Sequence, residues 1–401
     1  MEFELDAAQE RWVEETDRLA REAFAPRATR WDRTATYPRP NVERLRQEGY
    51  LGMTIPERFG GPGRPLIDVV LAIEQIAKYC GVTARVVVDT NVGALGAVMA
   101  YGTDDQRERL AERILEEGDK PAIAMTEPGA GTDLGALETT ARREGDEFVI
   151  DGHKHWITGG GRSATYFVFA KIVEDGQDCG IGALLLDADT AGFEVVDVAD
   201  AMGVRGTPEG ELVFDGCRVP AENLVVRDPD DGFKNLMQAY NAQRVCASAV
   251  ALGIAQGAHD LAVEFMDDRE AFGEPISERQ GLRWTMAEAE MHLQAGRLLL
   301  YRAAVTAREH DNNVMLPHLG PTSVAKAYVP DVAFEVVNDA LQMFGARGYS
   351  KAYPLERMLR DVRMFKIGGG TTEAQKNLVA RTIFDGDDER RRARLADFAV
   401  D

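Results

Sequence analysis

The residues best suited to chemistry lie in short glycine-rich or aromatic stretches. Met125-Thr126-Glu127-Pro128-Gly129-Ala130-Gly131-Thr132-Asp133 combines two glycines with hydroxyl side chains. Gly129 and Gly131 let the backbone approach a ligand closely, and Thr126 and Thr132 add hydroxyls that can face a planar ring or a thioester. In His155-Trp156-Ile157-Thr158 an indole can stack beside such a ring while a hydroxyl bonds to it. The turn Gly368–Thr372 opens a helix and can hold an anion or a carbonyl at its N-terminus. Two further stretches, Arg269–Gln280 and Gln342–Tyr349, are weaker alone. Each stretch also has an ordinary structural reading, as a plain loop or, for Trp156, as core. His153 and His155 point the same way on a strand but have no third ligand nearby in sequence, so no metal centre is expected. No G-x-G-x-x-G follows a strand, which argues against a Rossmann nucleotide site.

These stretches must be positioned by three blocks. Residues 1–118 read as an N-terminal helical domain. Leu5, Ala8, Trp12, Leu19 and Ala23 recur at helical spacing, and Pro26 marks the helix end. Asp68–Lys78 and Asp104–Glu117 have similar patterns, and Ile55–Gly63 reads as loop. Residues 119–228 change to short apolar runs at Phe148–Ile150, Tyr166–Val173, Gly182–Leu186, Phe193–Val198 and Glu211–Phe214. Turn signals at Glu144-Gly145-Asp146, Asp175-Gly176 and Asp215-Gly216 separate them, which predicts a barrel-like middle domain of antiparallel strands. Residues 229–401 return to long helical patterns over about 233–268, 277–311, 322–345 and 372–385, a C-terminal four-helix bundle, with a charged tail. The fold class is therefore mostly α with a central β domain, and a cofactor is expected between sheet and bundle.

The 401 residues, 45% of them hydrophobic, suffice for two or three domains. A net charge of −21 disfavours nucleic acid and anionic membranes as partners, so a polyanion such as coenzyme A needs a local cluster of Arg and Lys. No run of eighteen apolar residues occurs, and the acidic N-terminus does not read as a signal peptide. Cys80, Cys179, Cys217 and Cys246 form no CxxC pair and read as reduced thiols of a cytoplasmic protein.

Taken together and in order, these stretches closely resemble the acyl-CoA dehydrogenases from about Leu5 to Phe384. Leu51–Gly61, Phe214–Pro220, Tyr353–Asp361 and Ile367–Gln375 extend the match. The resemblance implies FAD and an acyl-CoA dehydrogenase-like reaction. An α-proton and a β-hydride leave an acyl thioester, and the electrons pass to an electron-transfer flavoprotein. It implies that Met125, Thr126 and Thr132 line the flavin and thioester, and that Trp156 and Thr158 flank the isoalloxazine. Arg269, Phe272 and Gln280 are implied to reach the FAD of a neighbouring subunit of a homotetramer. Gln342 and Gly345 are implied at the pyrophosphate or adenosine, and Thr371 and Glu373 at FAD from the C-terminal turn. Thr132, Arg244, Gly369 and Gly370 are implied substrate contacts, with the N–H of Gly369 on the thioester oxygen.

One departure matters. Many members carry the proton-abstracting glutamate where Gly369 stands. Others carry it one residue before an arginine, where this chain has Gln243 before Arg244. An amide is not a base at neutral pH, and a placed base contributes roughly 10²–10⁴-fold. Asp89, in Val87-Val88-Asp89-Thr90-Asn91, is the candidate displaced base for a cyclic or unsaturated acyl group; its ordinary reading is a helix cap or a solvated acid. A partner-dependent or silent flavoprotein subunit, a different flavin reaction (enoyl-CoA reduction, oxygen activation), an engineered Glu→Gln at 243 and an acyl group on a carrier protein all stay open.

Overall fold

In the computed structural model the described residues are 4–226, 231–306, 308–310 and 314–384. The charged tail lies outside them. Seven helices come first: α1 Ala7–Leu19, α2 Ala25–Thr34, α3 Arg39–Gln47, α4 Leu66–Ala77, α5 Gly81–Asn91, α6 Ala94–Tyr101 and α7 Asp104–Glu112. Pro26 does not end the first of them. A π turn over Ala20–Phe24 joins α1 to α2, and Pro26 sits in the first turn of α2, where an N–H is not required.

The sheet comprises β1 Ala122–Ala124, β2 Thr140–Glu144, β3 Glu147–Thr158, β4 Thr165–Glu174, β5 Gln177–Asp187, β6 Phe193–Val198, β7 Glu209–Pro220 and β8 Leu224–Val226. Its path runs β6-β7-β3-β2-β4-β5-β8, with β1 also on β4. The expected antiparallel domain is in fact mixed. β1 and β2 share one edge of β4 end to end, both parallel to it, at Ala122↔Tyr166 and Thr140↔Lys171. Asp215-Gly216 is not a turn between strands but a bulge within β7. The extra residue is absorbed because Gly216 adopts φ +62° and its N–H donates to Asp151 Oδ1 at 2.8 Å.

The second helical block holds α8 Gly232–Asp268, a hairpin of β9 Glu270–Ala271 and β10 Glu274–Pro275, α9 Gln280–Val305, the strand pair β11 Arg308–His310 and β12 Val314–Leu316, α10 Leu319–Phe344, α11 Leu355–Arg363 and α12 Thr372–Phe384. The helical pattern expected over 277–311 is therefore shorter at both ends. α10 packs on α8, α9, α11 and α12, and α8 also packs on α4 and α5. One apolar core links both helical blocks, and a second lies within the sheet. α8 is long and apolar enough to cross a membrane, but most of its apolar residues are buried, as in a core helix. All four cysteines are unpaired.

Candidate active site

The glycine-rich loop is fixed from below by a buried ion pair. Lys154 on β3 is fully buried, and its Nζ donates to Met125 O at 3.1 Å and Glu127 Oε1 at 2.7 Å. Glu127 also accepts from the N–H groups of Glu138 and Thr139, at 2.5 and 3.0 Å. Burial pushes Lys154 down to about 8, opposed by Glu127; these hydrogen bonds and Lys154 overcome burial and hold Glu127 below the usual carboxylate range. Met125 is buried, Thr126 half-buried and Thr132 exposed. His155 N–H donates to Thr126 O at 2.9 Å, joining loop to strand. The next residue, Trp156, adopts φ +58° where the β3–β7 register shifts, and its ring is 53% exposed beside the loop. The strand thus turns an indole outward here and keeps Thr158 at its end.

Behind Thr158 lies a buried polar cluster drawn from four elements. Glu209, at the start of β7, receives the Thr158 hydroxyl at 2.8 Å. Lys120, ahead of β1, donates to Thr158 O at 3.4 Å and pairs with Asp89 Oδ2 at 2.9 Å. On α5, Arg85 pairs with Asp89 Oδ1 at 3.1 Å, one turn away. On α8, Gln243 Nε2 donates to the same Asp89 oxygen at 3.0 Å. Because the amide must turn its N–H toward the carboxylate, its Oε1 faces away. That Oε1 and Arg85 Nε are buried without a hydrogen-bond partner among the described residues. Gly93 makes room for the amide, since a Cβ there would sit 2.7 Å from Oε1.

Asp89 lies against Gln243, one of the two positions where the resemblance implies a glutamate, and its surroundings suit a counter-ion. Burial raises its proton affinity, yet Arg85, Lys120 and Gln243 together hold it below the usual range. A carboxylate so held is a poor proton acceptor. It is also no helix cap, since it lies within α5. Glu209 is the opposite case: burial pushes it up to about 7. Sequence reasoning missed Arg85, Lys120 and Glu209.

The C-terminal turn is held by Arg244, next to Gln243 on α8, and by Lys326 on α10. Arg244 Nε donates to Gly369 O at 3.0 Å, and Lys326 Nζ donates to Phe365 O at 2.6 Å and Gly370 O at 3.2 Å. Gly369 and Gly370 adopt φ +77° and +97°. Thr371 and Glu373 begin α12, half-buried and exposed respectively. The remaining expected cofactor residues are not part of this constellation. Arg269, Phe272 and Gln280 are exposed around the β9–β10 hairpin, whose two-residue turn Phe272-Gly273 has both φ positive and leaves the Phe272 ring 97% exposed. Gln342 and Gly345 are exposed at the end of α10.

Three family descriptions match this chain in order: the acyl-CoA dehydrogenase N-terminal domain at residues 6–117, the middle domain at 122–217 and the C-terminal domain at 230–384. The chain belongs to the acyl-CoA dehydrogenase family. Among acyl-CoA dehydrogenase relatives, the 3-sulfinopropanoyl-CoA desulfinase of Paraburkholderia xenovorans is 46% identical over 385 residues, covering 95% of this chain and 97% of the relative. The short-chain specific acyl-CoA dehydrogenase of Clostridium acetobutylicum is 33% identical over 384 residues, covering 96% and 100%. Butyryl-CoA dehydrogenase of Megasphaera elsdenii, a solved structure, superposes with a TM-score of 0.89 at 31% identity, covering 96% and 100%. As an acyl-CoA dehydrogenase-family flavoprotein the chain is an enzyme with FAD as cofactor. The described surface fits the isoalloxazine. The outward Trp156 ring offers a flat apolar face, Thr158 a hydroxyl, and open space surrounds Gly129 and Gly131, where a Cβ would meet nothing within 4 Å.

Proposed function

We propose that this enzyme removes the sulfinate group from 3-sulfinopropanoyl-CoA, or a close β-sulfinyl acyl-CoA, without net oxidation of the acyl chain. The observation that carries this reading is the Gln243–Asp89 contact inside a cluster with surplus positive charge. Arg85 and Lys120 face one low-pKa carboxylate, Asp89, and the amide that replaces the family's base adds none. With Glu209 protonated, the buried site holds one more cation than anion and favours an anionic acyl end, and among the described residues neither position where the resemblance implies a base, 243 or 369, carries a carboxylate. The relative that is 46% identical over nearly the whole chain is named for that chemistry.

The reaction balances without an external oxidant. The carbon–sulfur bond breaks and its electron pair stays on the β-carbon, which takes a proton. Sulfur takes the oxygen of one water and leaves as hydrogen sulfite; carbon is reduced and sulfur oxidised. In this reading Arg85, with its spare Nε donor, holds the sulfinate oxygens in the charge-assisted manner of a guanidinium. The N–H of Gly369, in a turn pinned by Arg244 and Lys326, holds the thioester oxygen. Gln243 orients Asp89 and presents only a carbonyl acceptor to the acyl chain. When bound, FAD supplies a planar electron-accepting ring against that chain. Met125, Thr126, Thr132, Trp156 and Thr158 border it.

Dehydrogenation with electrons passing to an electron-transfer flavoprotein is the second reading, favoured by the likeness to the short-chain specific enzyme. One experiment separates them. Purified holoenzyme is mixed anaerobically with 3-sulfinopropanoyl-CoA and, separately, with butanoyl-CoA. Release of sulfite from the first with no acceptor present, and no bleaching of the flavin by the second, is the expected result. Bleaching by butanoyl-CoA without sulfite release from the first substrate would replace desulfination by dehydrogenation.

A homo-oligomer completes the reading. Trp284, Met291, Leu298 and Val305 recur every seven residues along α9 and are all more than half exposed. Such a stripe suits a helix face of another copy, as Phe272 suits insertion into a neighbouring subunit.

A further inference from the structure

Glu209 is unused in the mechanism above, and its placement is unusual. Both its carboxyl oxygens lie within hydrogen-bond reach of the Thr158 hydroxyl, at 3.0 and 2.8 Å, and no cation lies within ion-pair distance of it among the described residues. We propose that Glu209 is a positioning residue that acts on bound FAD through Thr158, deciding whether the Thr158 hydroxyl meets the flavin ring as a hydrogen-bond donor or as an acceptor.

The argument is a count of hydrogens, and it rests on the reading that Thr158 lies at the flavin edge. A threonine hydroxyl has one hydrogen and two lone pairs. When Glu209 is ionised it can only accept, so the hydroxyl hydrogen points to Glu209 and Thr158 offers lone pairs elsewhere. When Glu209 carries a proton taken from solvent, its O–H donates to Thr158 Oγ. The threonine hydrogen is then released toward the ring. One proton on a residue that does not touch the flavin thus inverts the polarity of a group that does.

The surroundings place this inversion in the neutral range. Glu209 on β7 is faced by Thr158 on β3, by Arg85 and Asp89 on α5, by Lys120 ahead of β1 and by Tyr240 on α8. Burial pushes the carboxyl up to about 7; Thr158, Arg85 and Lys120 oppose that, and Asp89 reinforces it. Asp89 already occupies both nearby cations, which leaves Glu209 without the ion pair that would lock it ionised.

Apoprotein is reconstituted with FAD, and the flavin's visible band and the FAD dissociation constant are followed from well below to well above pH 7 in wild type, Glu209→Gln and Thr158→Val. A one-proton transition near pH 7 is expected in wild type. It should change the dissociation constant by about 2- to 10-fold, the worth of one hydrogen bond, and be absent from both variants. A wild type without the transition, or a transition that persists in Glu209→Gln, overturns the proposal. Loss in Glu209→Gln with retention in Thr158→Val also overturns it, and tells against Thr158 at the flavin edge. None of these readouts depends on sulfite release, so failure of the desulfinase reading is seen separately. Should Glu209→Gln not fold, infrared difference spectra of wild type labelled with ¹³C-glutamate serve instead. A protonated carboxyl band that disappears through pH 7 supports the proposal, and its absence at acid pH overturns it.

Discussion

Two buried lysines beside the glycine-rich loop and Thr158 serve opposite ends. Lys154 faces one carboxylate, Glu127, whose oxygens are otherwise filled by backbone N–H groups. Charge is balanced and polar atoms are satisfied, as a scaffold requires. Lys120 shares its carboxylate, Asp89, with Arg85 and with the amide of Gln243, and two polar atoms of that cluster are left without partners. With Glu209 protonated, stability alone does not account for two cations on one carboxylate with a guanidinium nitrogen unsatisfied. The difference separates a fold-holding ion pair from the cluster that the proposed function reads as completed by substrate.

That comparison breaks most visibly at Lys154. Lys154→Met leaves Glu127 buried and ionised beside an apolar side chain, a loss of about 3–5 kcal/mol for a broken buried pair. Denaturant unfolding should show the midpoint falling steeply with little change in slope. FAD binding should weaken along with it, because Lys154 also holds the carbonyl of Met125. A variant as stable as wild type would remove the distinction between the two lysines.

Arg85→Met should do the reverse. Asp89 keeps Lys120 and Gln243, so the fold retains a paired carboxylate and stability changes little. The anionic end of the substrate loses its partner, which costs about 2–5 kcal/mol for a buried charged contact, so kcat/KM for 3-sulfinopropanoyl-CoA should fall roughly 30- to 5,000-fold. Steady-state sulfite release measures it. An unchanged kcat/KM, with the unfolding midpoint lowered instead, would make Arg85 a scaffold residue like Lys154.

Why only one of these two regions could be read from the sequence follows from how each is built. The glycine-rich loop and His155–Thr158 are contiguous, so residue type alone marks them, and long periodic patterns predicted α8, α10 and α12 nearly to their ends. The cluster is assembled across elements. Arg85 is followed by Val86-Val87-Val88, and neither its residue type nor its four-residue spacing from Asp89 marks it as part of a site. Periodicity does not reveal that α5 is buried nearly all round. Lys120 and Glu209 are 89 positions apart and meet only through the sheet. Two of the misread boundaries have local causes. A π turn carries the helix through Pro26, and a left-handed glycine lets β7 absorb Asp215-Gly216.

The smallest expected effect is at Gly369, the other position where the resemblance implies a glutamate. Gly369 has φ +77°, and a Cβ there would lie 3.3 Å from Lys326 Cε and 3.9 Å from Arg244 Cγ. The chain thus fills the surroundings of this position with two cationic side chains that pin the turn through backbone carbonyls. Gly369→Ala should cost about 1–2 kcal/mol from the left-handed backbone, with the Lys326 stem displaced by a few tenths of an ångström. Because the Gly369 N–H stays in place, KM for the thioester should move less than it does in Arg85→Met. A thermal midpoint lowered slightly at near-normal sulfite release would show that position 369 contributes its backbone to this enzyme and no longer a side chain. A loss as deep as that of Arg85→Met would mean instead that the turn must move during turnover, and that the glycine is there for its freedom.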